Sequence, residues 1–220
     1  PVSTLALQRD SVYLWDRLAK QTGADFEIAI EGGLTVADDD ASFAHLRQKV
    51  ELERRAGLDI ELISGDEARV LAPYLSRQIV AASLSRDEGK INPLKASPAV
   101  LAAAIAAGAR LYARTRVLAI ERIGRSGFMI RTDRGSFSAR RVVNAAGAWA
   151  GSVGALAGDP IPVRPNPIQM LVTEAIPPTI PYHLAHATRR LTLKQAASGN
   201  LIIGGGWRAI FDPCSQRMRP

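Results

Sequence analysis

The pattern of apolar and polar positions at the beginning of the chain predicts a helix followed by a β-hairpin. In residues 4–21 large apolar side chains recur near one face of a helix, and Gly23 follows as a stop signal. Phe26, Ile28 and Ile30 then alternate with polar or small residues. The alternation resumes beyond two glycines at positions 32 and 33, which favours a hairpin over residues 26–36.

Capping signals predict where the next two helices begin. The aspartates at positions 38–40 suit the start of a second helix, and Gly57 suits its end. Ser64 is followed three residues later by Glu67, which is the spacing of a capping box. The short helix that this box begins stops before Pro73.

The rest of the chain predicts two more helices and a series of strands. Asn92 as a cap and Pro93 in the first turn begin an alanine-rich helix that runs to residue 108, and residues 148–157 form another. A tight turn at residues 133–135 indicates a three-stranded meander. Strands are predicted at residues 79–84, 116–123, 128–132, 141–144, 169–173, 182–187, 190–193 and 201–204.

Composition excludes several classes of protein. The chain has 220 residues, 47% hydrophobic and 22% charged, which is typical of a folded globular protein. A single cysteine, Cys214, excludes a disulfide framework, and no apolar run reaches the ~20 residues of a membrane helix. The net charge of +7 favours nucleic acid, but the arginines are spread over strands and turns and aromatic residues make up only 5%. We therefore expect no nucleic-acid partner and no transmembrane segment.

Two turns rich in small residues are candidate ligand sites. In residues 142–149 an apolar strand leads through Asn144 and small residues into a helix, whose first N–H groups can face an anion. A tightly packed strand–helix turn explains the same residues. The three glycines at positions 204–206 permit close approach of a ligand, and equally an ordinary turn at a strand end. The residues alone leave both pairs of alternatives open.

Other chemistry is not indicated by spacing. His183 and His186 lie in one predicted strand, and their odd separation places them on opposite faces. The aspartates at 38–40 are explained as a cap, because no calcium-loop spacing follows. The sequence contains no G-x-S-x-G, G-x-G-x-x-G or Walker motif. We predict no metal site, and the residues do not indicate a complete dinucleotide-binding fold.

Seven motifs follow one another in a consistent order. They are G-G-L at 32–34, R-A-G to L-I-S at 55–64, E-G-K-I-N-P at 88–93, T-R-V-L-A-I at 115–120, V-V-N-A-A-G-A-W at 142–149, P-N-P-I-Q-M-L-V-T at 165–173 and L-T-L-K-Q to G-G at 191–205. In this order they resemble the D-amino-acid-oxidase-like family of flavin oxidoreductases. That family includes glycine oxidase, the sarcosine oxidase β subunit and opine dehydrogenase subunits. Glu88 stands where the family usually has aspartate.

The resemblance implies a fold and an activity. The fold class is α/β (α+β), with a partial FAD/NAD(P)-binding domain and an interleaved mixed-sheet substrate domain. The implied activity is FAD-dependent oxidation of the C–N bond of an amino acid or secondary amine, by hydride transfer to the flavin. No protein residue is assigned as the catalyst, because the protein orients the substrate against the cofactor.

Site residues are implied by the same resemblance. Positions near FAD are Val117, Ala145, Ala146, Gly147 and Trp149. Positions near the substrate are Gln169, Thr192, Lys194 and Gln195. Glycine oxidase has a tyrosine at the position of Thr192, so that substrate contact is not preserved here.

The implied domains are interleaved along the chain. They are a junction helix (1–21), the substrate domain (22–93 and 159–212), the partial FAD-binding domain (94–158) and a tail (213–220). The family's G-x-G-x-x-G turn and its final glycine-rich segment are not found, so we expect the central part of a flavoenzyme. Alone, it would be inactive and would bind FAD weakly or not at all. Val117, Val142 and Val143 should then lack sheet neighbours, unless two chains pair to cover them.

Alternative functions remain open at this stage. A glycerol-3-phosphate-type dehydrogenase or a tRNA-modifying flavin domain has the same general layout, and a non-catalytic subunit is a further class. The expected partners are a small amine or amino acid and a second oxidoreductase subunit. The expected location is the cytoplasm, or the inner-membrane periphery for an intact complex.

Overall fold

A computed structural model describes residues 2–124, 127–212, 214–215 and 217–219. The helices are α1 (Val2–Thr22), α2 (Asp40–Arg55), α3 (Gly65–Leu71), α4 (Pro93–Ala106) and α5 (Ala150–Leu156). The strands are β1 (Gly33–Ala37), β2 (Ile60–Ser64), β3 (Ala81–Ser85), β4 (Val117–Ile123), β5 (Gly127–Thr132), β6 (Gly135–Ala139), β7 (Ile168–Ala175), β8 (His183–His186), β9 (Thr192–Gln195), β10 (Asn200–Arg208), β11 (Ile210–Asp212) and β12 (Arg217–Arg219).

The chain divides into two units. The first unit contains Pro1–Gly108 and Ile168–Trp207, and the second contains Ala109–Pro167 and Arg208–Pro220. The predicted division into a partial FAD-binding domain (94–158) and a substrate domain (22–93 and 159–212) stays a prediction. None of the helices in the described ranges is both long and apolar enough to cross a bilayer.

The predicted helix caps of the first unit are confirmed. The Asp39 side chain accepts a hydrogen bond from the Ser42 backbone N–H at 2.7 Å, and α2 begins there. Ser64 and Glu67 form the reciprocal capping box of α3. Asn92 caps α4 through a 3.0 Å bond from the Leu94 backbone N–H. These helix starts are therefore determined by local side-chain chemistry.

A mixed seven-stranded sheet forms the centre of the first unit, in the order β2-β3-β1-β8-β9-β10-β7. The pair β1–β8 is parallel, whereas β1–β3, β2–β3, β8–β9 and β9–β10 are antiparallel. This arrangement confirms the predicted mixed sheet.

Two neighbouring rows of residues cross the same five strands of this sheet. The core row consists of Leu84, Leu34, Leu184, Leu193 and Ile203. The polar row, one residue further along or back in each strand, consists of Ser83, Thr35, Ala185, Thr192 and Gly204. Because side chains alternate along a strand, the two rows face opposite sides of the sheet. The core row packs with Ala68 of α3 and with Ala72.

The hairpin predicted over residues 26–36 is wrong. Residues 26–30 form only an isolated bridge between Ala29 and Lys90, and β1 pairs instead with β3 and β8. Glu27 has a φ of 52°, which interrupts an extended strand. Phe26 is buried and meets Trp15 edge-on, with ring centroids 6.1 Å apart, so packing against α1 explains the apolar pattern.

The second unit contains the predicted meander, β4-β5-β6, with antiparallel pairing throughout. Thr132 stabilises the predicted turn, since its hydroxyl donates to the Gly135 carbonyl at 2.7 Å and accepts from the Arg134 backbone N–H at 3.1 Å. A 3-10 turn over Gly147–Trp149 leads into α5, which confirms the helix predicted there. The strands β11 and β12 pair antiparallel.

The strand predicted at residues 141–144 is absent, because residues 141–146 have no regular secondary structure. A strand requires a pairing partner, and no described strand lies against this segment. Val142 and Val143 are exposed and lie in no described strand. The prediction that Val117 lacks sheet neighbours is wrong, because Val117 is half-buried and pairs with Thr132 of β5.

Candidate active site

The polar row provides the floor of the candidate site. Thr192 on β9 lies opposite Gly204 on β10, and Lys194 lies opposite Ile202. A side chain at position 204 would bring its Cβ within 2.6 Å of the Thr192 hydroxyl oxygen. Gly204 therefore makes room for the Thr192 side chain, whose hydroxyl donates to the Gly204 carbonyl at 3.4 Å. Because β10 continues to Arg208, Gly204 lies within the strand and not in a turn at its end.

Two cavities open over this floor. The smaller, of about 420 Å³, is lined by Glu88, Met170, His183, Thr192, Lys194 and Ile202 among others. The larger, of about 890 Å³, is mainly apolar and includes Val172, Ile176, Ile180 and Pro181. Lys194 and Ile202 line both cavities. These volumes lie in the range of small-molecule sites.

Lys194 is the cation available to a ligand among the described residues of the two cavities. The other lysine that lines them, Lys90, is paired with Glu31 at 3.0 Å and donates to the Pro181 carbonyl at 3.0 Å. Lys194 is half-buried, and no described side chain forms a hydrogen bond or ion pair with its ammonium. A half-buried ammonium without a partner favours binding of a carboxylate or phosphate.

Glu88 and His183 form a hydrogen-bonded pair at the wall of the smaller cavity. The His183 Nδ1 atom lies 2.6 Å from Glu88 Oε1. Gly33, opposite His183 in the parallel register, allows this arrangement, because a Cβ there would lie 2.0 Å from Glu88 Oε2. Sequence reasoning weighed His183 only as a metal ligand and Glu88 only as a departure from a motif. The glycine at position 33 was the available signal, but the β1–β8 register was needed to interpret it.

Gln195 is almost fully buried, and its amide holds the segment that walls the larger cavity. Its Oε1 atom accepts hydrogen bonds from the backbone N–H groups of Thr179 and Ile180, at 2.7 and 2.9 Å. Its Nε2 atom donates to the carbonyls of Pro177 and Gly199, both at 3.0 Å, and of Ile176 at 3.2 Å. Substrate contact by Gln195 would be additional to these bonds and stays a prediction.

The structure brings Thr192, Lys194 and Gln195 to the cavities but not Gln169. The β7 residues in the cavity walls are Met170 and Val172. Gln169 is half-buried and precedes Met170, so it faces the other side of the strand. This position does not support the predicted contact between Gln169 and the substrate, which stays a prediction.

The Glu27 carboxylate, which lines the larger cavity, is ionised and paired with Lys95. Hydrogen bonds from Lys95, at 2.5 Å, and from Asn92 lower the pKa of Glu27 below its ordinary value. A backbone hydrogen bond from Glu27, followed by Lys95, lowers the pKa of Asp25 in the same way. The two carboxylates and Lys95 thus stabilise the start of α4, and of the described lysines that line the cavities only Lys194 is left without a charged partner.

The residues predicted to contact FAD lie in the second unit. Ala145, Ala146, Gly147 and Trp149 share one turn, which the Asn144 side chain braces through bonds to the backbone of Ala146 and Ala150. Gly147 has a φ of 54°, and a side chain there would be strained. Trp149 is 54% exposed. Small residues beside an exposed aromatic ring fit close approach by a flat group. Val117 begins β4, which α5 contacts.

No group of three or more His, Cys, Asp or Glu side chains in the described ranges is placed to hold a metal ion. His183 and His186 pair with Gly33 and Val36 in the β1–β8 register. Since those positions are an odd number apart, the two histidines lie on opposite faces, as predicted.

Comparison with known proteins gives consistent results. The anaerobic glycerol-3-phosphate dehydrogenase subunit A1 of Haloferax volcanii is 31% identical over 63% of this chain and 26% of its own length. The hydrogen cyanide synthase subunit HcnC of Pseudomonas aeruginosa is 29% identical over 91% of this chain and 48% of its own. The crystal structure of glycine oxidase from Geobacillus kaustophilus has a TM-score of 0.83 and 27% identity, covering 93% of this chain and 55% of that one.

The chain thus spans about half, or less, of the length of these relatives. The family described as "FAD dependent oxidoreductase" (DAO) matches residues 2–219, nearly the whole sequence. Both the resemblance and the fold class predicted from the sequence are confirmed. This chain belongs to the DAO family of FAD-dependent oxidoreductases.

Proposed function

We propose that this chain provides the substrate side of an FAD-dependent oxidation of a small amino acid or secondary amine, of the glycine, sarcosine or opine type. The observation that carries the proposal is the Lys194 ammonium, which has no partner among the described residues and lines both cavities on the same sheet face as the polar row. The similarity to glycine oxidase supports it.

The side chains divide the work of substrate binding. The Lys194 ammonium binds the substrate carboxylate. The Thr192 hydroxyl exchanges its long bond to the Gly204 carbonyl, of 3.4 Å, for a bond to the same carboxylate. The apolar wall of the larger cavity accepts the substituent on the substrate carbon or nitrogen. This arrangement fixes the direction of the substrate C–H bond.

The cofactor is part of the same proposal. Val117, Ala145, Ala146, Gly147 and Trp149 would hold FAD, since the turn that they include presents small residues and an exposed ring. When bound, FAD supplies the acceptor for the hydride. The resulting imine is hydrolysed by water.

The test is anaerobic reduction of the flavin in the full gene product loaded with FAD. Glycine, sarcosine and L-proline are mixed with it, and the loss of the flavin absorption band is followed. We expect reduction by at least one, and a Lys194→Met variant should raise the half-saturating concentration about 10- to 100-fold, through loss of a charge-assisted bond. Lys20→Met on α1, which removes an exposed lysine, is the matched control. No reduction by any amine would contradict the proposal.

Oxidation of glycerol 3-phosphate is a second candidate, favoured by the similarity to the Haloferax volcanii subunit. A phosphate would bind Lys194 as a carboxylate does. Reduction of the flavin by sn-glycerol 3-phosphate, and not by amines, would select it.

A second subunit is also part of the proposal, because two relatives are named as subunits. Co-purification of a second chain with the tagged full gene product tests this point.

A further inference from the structure

The Glu88–His183 pair lines the smaller cavity, and one ring nitrogen of His183 has no partner among the described residues. An ionised carboxylate only accepts hydrogen bonds, so the Nδ1 atom that lies 2.6 Å from Glu88 carries the proton in neutral His183. The Nε2 atom is then unprotonated and has a free lone pair. No described residue donates to it, and His183 lines the cavity together with Thr192 and Lys194.

A second histidine–carboxylate pair, His186 with Asp38, provides an internal contrast. The His186 Nδ1 atom accepts hydrogen bonds from the backbone N–H groups of Thr188 and Arg189, at 3.2 and 3.0 Å. Its Nε2 atom therefore carries the proton and donates to Asp38 at 3.0 Å. Both nitrogens are occupied, and the ring is buried. His186 is thus a structural residue, whereas His183 has a free basic nitrogen.

We propose that His183 is the base that removes a proton from the substrate's ammonium group before oxidation. The inference rests on the proposed amine oxidation. The N–H bond breaks, its electron pair stays on the substrate nitrogen, and the proton forms a new bond to His183 Nε2, from which it passes to solvent. The freed lone pair can then form the C=N bond as the C–H hydride leaves for FAD. Glu88 is a positioning residue that holds the ring and stabilises the imidazolium.

The charges around the ring suit this role. Glu88 faces Nδ1, and Lys194 and Lys90 line the same cavity, Lys90 being paired with Glu31. With the carboxylate of an amino acid at Lys194, its nitrogen, only one carbon away, remains within the same cavity. Among the described residues, no side chain other than Glu88 forms a hydrogen bond or ion pair with the His183 ring.

The first test does not depend on turnover. The FAD-loaded full gene product is labelled with ¹⁵N-histidine, and long-range ¹H–¹⁵N spectra assign the ring tautomers, with His183→Gln identifying the His183 signals. We expect an Nδ1–H tautomer for His183 and an Nε2–H tautomer for His186. An Nε2–H tautomer for neutral His183 would overturn the proposal, because no lone pair would face the substrate.

The second test measures the rate of flavin reduction by sarcosine against pH. His183→Gln should slow reduction about 100-fold near neutral pH. The loss should shrink at alkaline pH, where sarcosine loses its own ammonium proton in solution. Glu88→Gln should cause a smaller loss of the same pH dependence, and His45→Gln, on an exposed position of α2, should leave the profile unchanged.

The outcomes separate the two proposals. A loss in His183→Gln that is equal at every pH would indicate a structural role and overturn the inference, while amine oxidation stands. Flavin reduction by glycerol 3-phosphate alone would overturn both, because that substrate has no ammonium proton to remove.

Discussion

The core row and the polar row cross the same five strands, yet they are built for different tasks. The core row is entirely Leu and Ile, and it packs with small residues from α3 and the segment that follows it. The polar row is Ser, Thr, Ala and Gly, with cavities above its β9–β10 end. One residue step along a strand reverses the face, so the two rows have different neighbours. On the polar-row face, α2 covers the β1–β3 end through Leu46 and, within the described residues, only the β9–β10 end is left to the cavities. Stability and binding are therefore divided between the faces at β9–β10.

The largest effect is expected from the core row. Leu34→Ala should lower the free energy of unfolding by about 3 kcal/mol, because Leu34 is only 1% exposed and its removal leaves a cavity. Thr192→Ala, on the polar row, should change it by less than about 1 kcal/mol. Urea unfolding measures both, and equal losses would contradict the division between the faces.

Gln195 lies between the two tasks, because it is buried but shapes a cavity wall. Gln195→Leu should cost about 2 kcal/mol, since the backbone groups of the 176–180 segment lose their partners. Gln48→Leu, at an exposed position of α2, is the control. If urea unfolding gave the two variants the same stability, the bracing role of Gln195 would be refuted.

Tyr74 places an unpaired polar group on the face of the sheet that carries the core row. Its hydroxyl is buried without a hydrogen-bond partner among the described residues, and it packs against the core cluster. Tyr74→Phe should therefore raise stability by about 1 kcal/mol. Thermal unfolding measures this, and destabilisation would contradict the unpaired state.

The same residue has a pH signature at alkaline pH. Burial raises the pKa of Tyr74 from 10.0 to about 12. Folding therefore favours the protonated phenol, so this contribution is complete below pH 10 and is lost as pH rises towards 12. Tyr74→Phe should flatten that part of the stability profile.

The smallest effect is expected at the exposed cap of α3. Hydrogen bonds from Ser64 lower the pKa of Glu67 below 4.5, the backbone bond being the larger cause. The ionised form is favoured by folding, so its contribution is present above pH 4.5 and is lost on further acidification. In Glu67→Gln the midpoint temperature of thermal unfolding should fall slightly less steeply as the pH is lowered below 4.5. An unchanged slope would show that the pKa of Glu67 is the same in the folded and unfolded chains.

Sequence reasoning succeeded where the determinants are local. The caps at Asp39, Ser64 and Asn92 and the turn at residues 133–135 are each decided by contacts a few residues apart, and all four were found. The hairpin error has the opposite cause, because the partners of β1 come from β3 and β8. A repeating apolar pattern reports burial, and it does not identify the partner strand.

The candidate site was predicted only in part for the same reason. The motif resemblance led to Thr192, Lys194 and Gln195, which lie at the cavities. The pairing of Glu88 with His183 joins residues 95 positions apart, so no motif or spacing contains it. The bracing bonds of Gln195 likewise depend on how the 176–180 segment folds back.

The parallel β1–β8 pair has a consequence for the order of folding. Asp38, just after β1, bonds to His186 across 148 residues of sequence. During synthesis, β1, β2 and β3 with α2 and α3 can assemble from nearby chain, whereas β8, β9 and β10 are made later and must pair with the exposed edge of β1. The polar row is therefore completed only after about 100 further residues are made, and a stalled nascent chain would expose the β1 edge to other strands.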